Sequence, residues 1–114
     1  MKRKFIKKPW GSFEQFTLNE KSTVKFLVVK PQKRLSLQKH KNRAEFWKVI
    51  EGPVKITIGK KTFTAKKGDE FMIKKKQLHR LEGLGKEGKV LEISFGKFSE
   101  KDIIRIEDDY GRAK

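Results

Sequence analysis

"EFWKVIEGPVKITIGKKTFTAKKGDEFMI", residues 45–73, decides the fold class. Its middle, "VKITIG" (54–59), alternates Val54, Ile56 and Ile58 with Lys55 and Thr57, the two-residue period of a strand with one buried face. Gly59 stops that run, and "KTFTA" (61–65) resumes after a hairpin-like "GKK". "EFMI" (70–73) follows the turn "KKGD", while "EFWKVIEG" (45–52) alternates less regularly and stops at Gly52. Working outward, "FEQF" (13–16), "TVKFLVV" (23–29) and "KVLEISFG" (89–96), the last behind the Gly-rich "EGLGKEG", read the same way. Helical periodicity is nearly absent. Strands at roughly 8–12-residue spacing with glycine turns predict an all-β sandwich or barrel. In the tail, Ser99 and Asp102 suggest one capped helical turn and "IIRI" a last short strand.

The 114 residues suit one domain, 1–114, with a modest core. No cysteine is present, which excludes disulfides and thiolate metal sites. No apolar run is long enough for a membrane span. "MKRKFIKKPW" has no apolar stretch of the kind a signal peptide needs, so a cytoplasmic location is expected. Thirty Lys+Arg against fourteen Asp+Glu give a net charge of +16. The lysines are spread over every segment rather than concentrated on one element, so a solvated basic surface is expected and no specific nucleic-acid site. Such a surface still draws anionic substrates by long-range attraction. Trp10 and Trp47 read as packing residues.

Just before the opening stretch, "SLQKHKNRAEFW" (36–47) holds Gln38, His40 and Glu45. In an extended strand, positions 38 and 40 share a face. A turn at "KNRA" brings the chain back, so Glu45 can face the same pocket. An amide oxygen, an imidazole and a carboxylate then converge on one point. A fourth ligand must come from elsewhere, and the one other histidine is His79 in "KKKQLHRLEG". A nitrogen–oxygen set without sulfur suits zinc, manganese, nickel or iron.

Here the residues resemble the cupins, double-stranded β-helix barrels with the motifs G-x5-H-x-H-x3,4-E-x6-G and G-x5-P-x-G-x2-H-x3-N. Anchored on Gly52, the first motif puts its glutamate at Glu45 and its histidines at His40 and Gln38; anchored on Gly68, the second puts its histidine at His79. The match is closer to the C-terminal cupin of type II mannose-6-phosphate isomerases, often fused to a mannose-1-phosphate guanylyltransferase. "KKPWGSFEQF", "RLSLQKHKNRAEFWKVIEGPVKITIG" and "DIIRIEDDYGR" carry that resemblance, from about Lys8 to Arg112. No nucleotidyltransferase portion is present in the sequence, so a stand-alone cupin is expected. The chain departs from the pattern at Lys41, Asn42 and Phe46, where the family has histidines, and at Lys74, Lys76 and Gly83 in the second motif. All four ligand positions are kept.

The resemblance implies a metal-dependent isomerase that interconverts mannose-6-phosphate and fructose-6-phosphate, with a divalent ion on Gln38, His40, Glu45 and His79. Zinc is the first choice, because isomerisation needs a Lewis acid and no redox chemistry. Arg43, near the rim, is expected to present a guanidinium fork to the sugar phosphate. Arg43 and Arg105 are the candidate catalytic groups, and Arg43, Arg105, Tyr110 and Arg112 the candidate substrate contacts. The general base is left open. A cupin glucose-6-phosphate isomerase and a non-catalytic metal- and sugar-binding cupin are the competing readings. A free first strand is an edge liability, so a homodimer that covers it is expected.

Overall fold

The computed structural model describes residues 1–113, and every regular element among them is a strand. In chain order these are β1 (Lys4–Lys8), β2 (Gly11–Gln15), β3 (Ser22–Val29), β4 (Leu37–Lys39), β5 (Arg43–Glu51), β6 (Val54–Ile58), β7 (Lys61–Ala65), β8 (Glu70–Ile73), β9 (His79–Gly83), β10 (Gly88–Gly96) and β11 (Ile104–Glu107). They form three antiparallel sheets: a β1–β2 hairpin, a four-stranded sheet ordered β3-β10-β5-β8, and a five-stranded sheet ordered β11-β4-β9-β6-β7. The two large sheets face each other without closing into one hydrogen-bonded ring. Of the sandwich or barrel expected from the strand spacing, the arrangement is an open, two-sheet form.

The core between them follows from the alternation. Val29, Trp47, Val49, Ile73 and Val90 come from one sheet, and Val54, Ile56, Ala65 and Leu81 from the other. Burying each such aliphatic side chain contributes about 1.5–3 kcal/mol. Gly59 (φ +61°) supplies the left-handed residue of the β6–β7 turn. Gly83 marks a close approach, since a Cβ there would lie 2.1 Å from the Lys30 carbonyl oxygen. That crowding accounts for glycine at a position where the resembled motif has asparagine.

Three expectations change. Trp10 is 72 % exposed at the tip of the β1–β2 hairpin, which joins neither large sheet; Trp47, 1 % exposed, is core as read. Ser99–Asp102 is a single turn closed by the Asp102 amide on the Ser99 carbonyl, not a helix. The Asp102 carboxylate instead accepts the amides of Lys41 and Asn42 at 2.8 and 2.9 Å. Finally, β5 begins at Arg43, two residues earlier than the run starting at Glu45 implied. Positions 43, 45, 47 and 49 then share the inward phase, and Arg43 is buried rather than at the rim.

Candidate metal centre

Sheet register assembles the site. In the five-stranded sheet Arg105 pairs with Gln38 and Gln38 with His79, so these three side chains lie in one row on one face. In the facing sheet Ser94 pairs with Glu45. His40 follows β4 on the same face as Gln38. His40, Glu45 and His79 are 2 %, 1 % and 1 % exposed. One ligand atom from each lies within 4.8 Å of the others.

Both imidazoles are held by their outer nitrogens. His40 Nδ1 donates to the Asp102 carbonyl at 2.6 Å, and His79 Nδ1 donates to the Gln77 carbonyl at 2.9 Å. That fixes the tautomer in which each Nε2 turns a lone pair inward, the arrangement usual for metal-binding histidines. Burial lowers the His40 pKa against the pull of the Asp102 carbonyl and Glu45, which keeps that ring neutral and able to ligate. Burial alone would raise the Glu45 carboxyl; a proton on the facing His79 or on His40, and the Arg43 guanidinium, act against burial and lower it below its ordinary value.

The residues fit a small divalent ion. Glu45 Oε1 and His79 Nε2 are buried without hydrogen-bond partners. They stand 3.4 Å apart, and His40 Nε2 stands 3.6 Å from Glu45 Oε2. With metal–ligand distances near 2.1 Å, the edge of a coordination tetrahedron is about 3.4 Å.

Gln38 is in the row, but its nitrogen faces the cluster. Nε2 lies 3.4 Å from His40 Nε2, and Oε1 accepts from the Ser36 hydroxyl at 2.6 Å. To ligate through oxygen the amide must flip; the Ser36 hydroxyl can accept from the amide nitrogen as readily as it donates.

Arg43 is committed inward. Its Nε donates to Glu45 Oε2 at 3.1 Å, one terminal nitrogen to the Ser99 carbonyl at 3.2 Å and the other to His40 Nε2 at 3.2 Å. Phe98 covers the guanidinium at 4.4 Å. Arg105 Nε is buried with no partner, which leaves that donor open on the row. Tyr110 and Arg112 are not brought in by any hydrogen bond among the described residues. Tyr110 lies in a separate groove with Val28, Lys33 and Leu35, and Arg112 is clamped to Asp108 at 2.8 and 3.0 Å.

Sequence reasoning missed Glu92. It pairs with Trp47, accepts the Trp47 indole N–H at 3.2 Å and is 5 % exposed. Burial, with the nearby Glu45 charge, pushes its carboxyl up to about 7. The available signal was its phase, since Glu92 shares the inward alternation of Val90 and Ser94 within "KVLEISFG".

Known proteins agree with this frame. The family described as "Mannose-6-phosphate isomerase C-terminal" matches residues 1–108. The alginate biosynthesis protein AlgA of Pseudomonas aeruginosa is 38 % identical over 94 % of this chain, and the mannose-1-phosphate guanylyltransferase ManC of Salmonella typhimurium 34 % over 94 %. The chain spans only 23 % of the length of either relative. Among solved structures, oxalate decarboxylase from Bacillus subtilis superposes with a TM-score of 0.67 at 24 % identity, over 76 % of this chain and 24 % of that one. A double-stranded β-helix protein from Klebsiella pneumoniae gives 0.65 at 18 % identity, over 79 % and 77 %. The fold is thus the cupin double-stranded β-helix, and the chain belongs to the mannose-6-phosphate isomerase C-terminal family.

Proposed function

We propose that this chain is a metal-dependent aldose–ketose isomerase acting on mannose-6-phosphate and fructose-6-phosphate. One observation carries the reading: two buried, unpartnered ligand atoms, Glu45 Oε1 and His79 Nε2, lie 3.4 Å apart in a chain of this family. A divalent ion held by His40, Glu45 and His79, with Gln38 after an amide flip, would supply a Lewis acid for negative charge on the sugar oxygens. Zinc is the first choice for that role.

The isomerisation moves a proton from C2 to C1 and another from O2 to O1, with no net oxidation. Glu45 is held ionised and serves as ligand, so it is not the proton carrier. Glu92 is a second buried carboxyl, on the inward phase of β10 one pairing row from Ser94 and Glu45, which makes it the candidate to carry the proton between carbons. Arg105, with its open buried Nε, is the group fitted to meet a phosphate or the enediolate oxygens. Arg43 acts on the cluster itself and sets the charge beside it.

A non-catalytic metal- and sugar-binding cupin is the second reading. It is favoured by the near-complete burial of His40, Glu45 and His79 beneath the segment carrying Phe98, Ser99 and Asp102. Coupled assays with mannose-6-phosphate and glucose-6-phosphate separate the possibilities. Metal-restored turnover of the mannose compound is expected. Turnover of the glucose compound alone changes the substrate, and a folded, metal-loaded sample inert to both establishes the binding reading.

A further inference from the structure

Lys25 is a lysine on the inward side of a strand. Along β3 the exposed positions are Val24, Phe26 and Val28, while Lys25, Leu27 and Val29 take the opposite phase. Val29 is core and Leu27 packs against it. Lys25 pairs with Glu92, and Glu92 with Trp47. The next row on the same face is Thr23, Ser94 and Glu45. An ammonium group is thus built into the wall of the candidate metal centre, one row from Glu45.

Its partners come from the segment that covers the cluster. The Phe98 ring lies 4.3 Å from Lys25 Nζ and 4.4 Å from the Arg43 guanidinium. The Ser99 carbonyl accepts from Arg43, and the Asp102 carbonyl accepts from His40. Between those two fastenings, Glu100 accepts from Lys25 Nζ at 3.1 Å. The Glu100 side chain is 79 % exposed, that of Lys25 35 %. The oxyanion on Lys25 is therefore carried by a side chain that loses little by returning to water. Arg43 has no such freedom, since its guanidinium is committed to Glu45, Ser99 and His40.

We propose that Lys25 is the phosphate-binding residue of the site, and that the phosphate of the substrate displaces the Glu100 carboxylate from it. The identity of the ligand rests on the sugar-phosphate reading given above. β3 and β5 are two strand spacings apart, about 10 Å. A hexose phosphate held by its C1–C2 end at Glu45 and the histidines extends across β10 toward β3, and the lysine side chain reaches back over part of that span. A phosphate monoester brings close to two negative charges and three acceptor oxygens, where Glu100 brings a single charge, so the exchange favours the phosphate. A sugar without phosphate has nothing to offer Lys25 in place of Glu100, and the pair thereby selects for phosphorylated substrates. With the phosphate on Lys25, the open Nε of Arg105 in the facing sheet is left for the enediolate oxygens.

Titration calorimetry of the metal-loaded full chain with mannose-6-phosphate reads binding without turnover. Lys25→Met keeps an apolar stem against Phe98 and removes the charge. It should weaken binding by about 10- to 100-fold, the range for a charge-assisted bond. Glu100→Gln weakens the competitor and should tighten binding by about threefold, a gain that damage to the fold cannot imitate. Lys89→Met, on the outward side of β10 over Phe26, removes the same charge and should change binding by less than about twofold. In turnover assays Lys25→Met should raise KM with kcat nearly unchanged, the pattern of a lost binding contact. Unchanged binding in Lys25→Met, an equal loss in Lys89→Met, or no gain in Glu100→Gln overturns the proposal. So does a parent that does not bind mannose-6-phosphate. A parent that binds it through Lys25 but turns over no hexose phosphate supports the phosphate site and removes the isomerase reading instead.

Discussion

His79 Nε2 and Glu45 Oε1 face each other at 3.4 Å, both sealed from solvent and neither with a hydrogen-bond partner. Buried polar atoms are nearly always satisfied, and each orphan costs about 1–3 kcal/mol. The empty-handed pair is a local instability that a cation between the two atoms would remove.

Divalent metal should therefore stabilise the fold as well as occupy it. At a free concentration 100 times the dissociation constant, the gain is about 2.7 kcal/mol. Thermal unfolding with zinc, manganese, nickel and iron(II), each against chelator, measures it. His79→Ala and His40→Ala should abolish the shift, and Gln38→Ala should only reduce it. An equal shift in His79→Ala would show that the metal binds elsewhere.

Glu92 should make metal-free protein less stable as pH rises. Its folded-state pKa is raised to about 7 from an ordinary 4.5, so the folded state favours the protonated acid. Below about 4.5 both states are protonated and there is no penalty; between the two values the unfolded chain ionises more easily. The loss is complete above 7 and reaches up to about 3 kcal/mol at 1.36 kcal/mol per unit. Denaturant melts of Glu92→Gln should lack this decline. The same variant should lose at least about 100-fold in isomerase turnover if it carries the proton.

Arg43→Gln should tighten metal binding by about tenfold, roughly 1.4 kcal/mol, while lowering turnover. The guanidinium puts a positive charge beside the cluster and donates to the same His40 Nε2 that a metal would need. Titration calorimetry on the chelated protein gives the affinity. Weaker binding in Arg43→Gln would mean that the arginine holds Glu45 and His40 in place more than it competes.

Asp102→Ala should cost about 1–3 kcal/mol through loss of the Lys41 and Asn42 amide bonds. Burial would raise the Asp102 pKa, but those two amides outweigh it and the folded value is lowered. The contribution is thus present above the ordinary aspartate range and lost as pH falls through the folded value. Asp102→Ala should flatten the acid limb of the stability curve, as read by chemical denaturation at stepped pH.

The strands were legible wherever one face is buried and the other wet. Val54–Ile58 and Lys61–Ala65 coincide with their alternating runs because the period of two is enforced by the core. β1 was illegible because "KFIKK" pairs only with β2 among the described strands and leaves all but Ile6 exposed, so it carries no such pattern. That His40 and Glu45 share a face was readable from spacing, since sequence separation on strands maps onto faces; His79 was reached as the one other histidine and through the resembled motif, and the fold brings it beside them. The burial of Arg43 was not readable, because it depends on where β5 begins, and strand ends are set by tertiary contacts. Glu92 hid among apolar neighbours, while the protein buries it beside the Trp47 indole N–H and raises its carboxyl pKa.

His40 is steadied by Asp102, a residue 62 positions further along the chain. During synthesis, β4, β5 and β9 leave the ribosome before that carbonyl exists. The sandwich can collapse around its aliphatic residues, but the imidazole lacks its Nδ1 partner until the tail arrives. The orientation of one of the three clustered side chains is thereby completed from the far end of the chain, after the strands that carry all three.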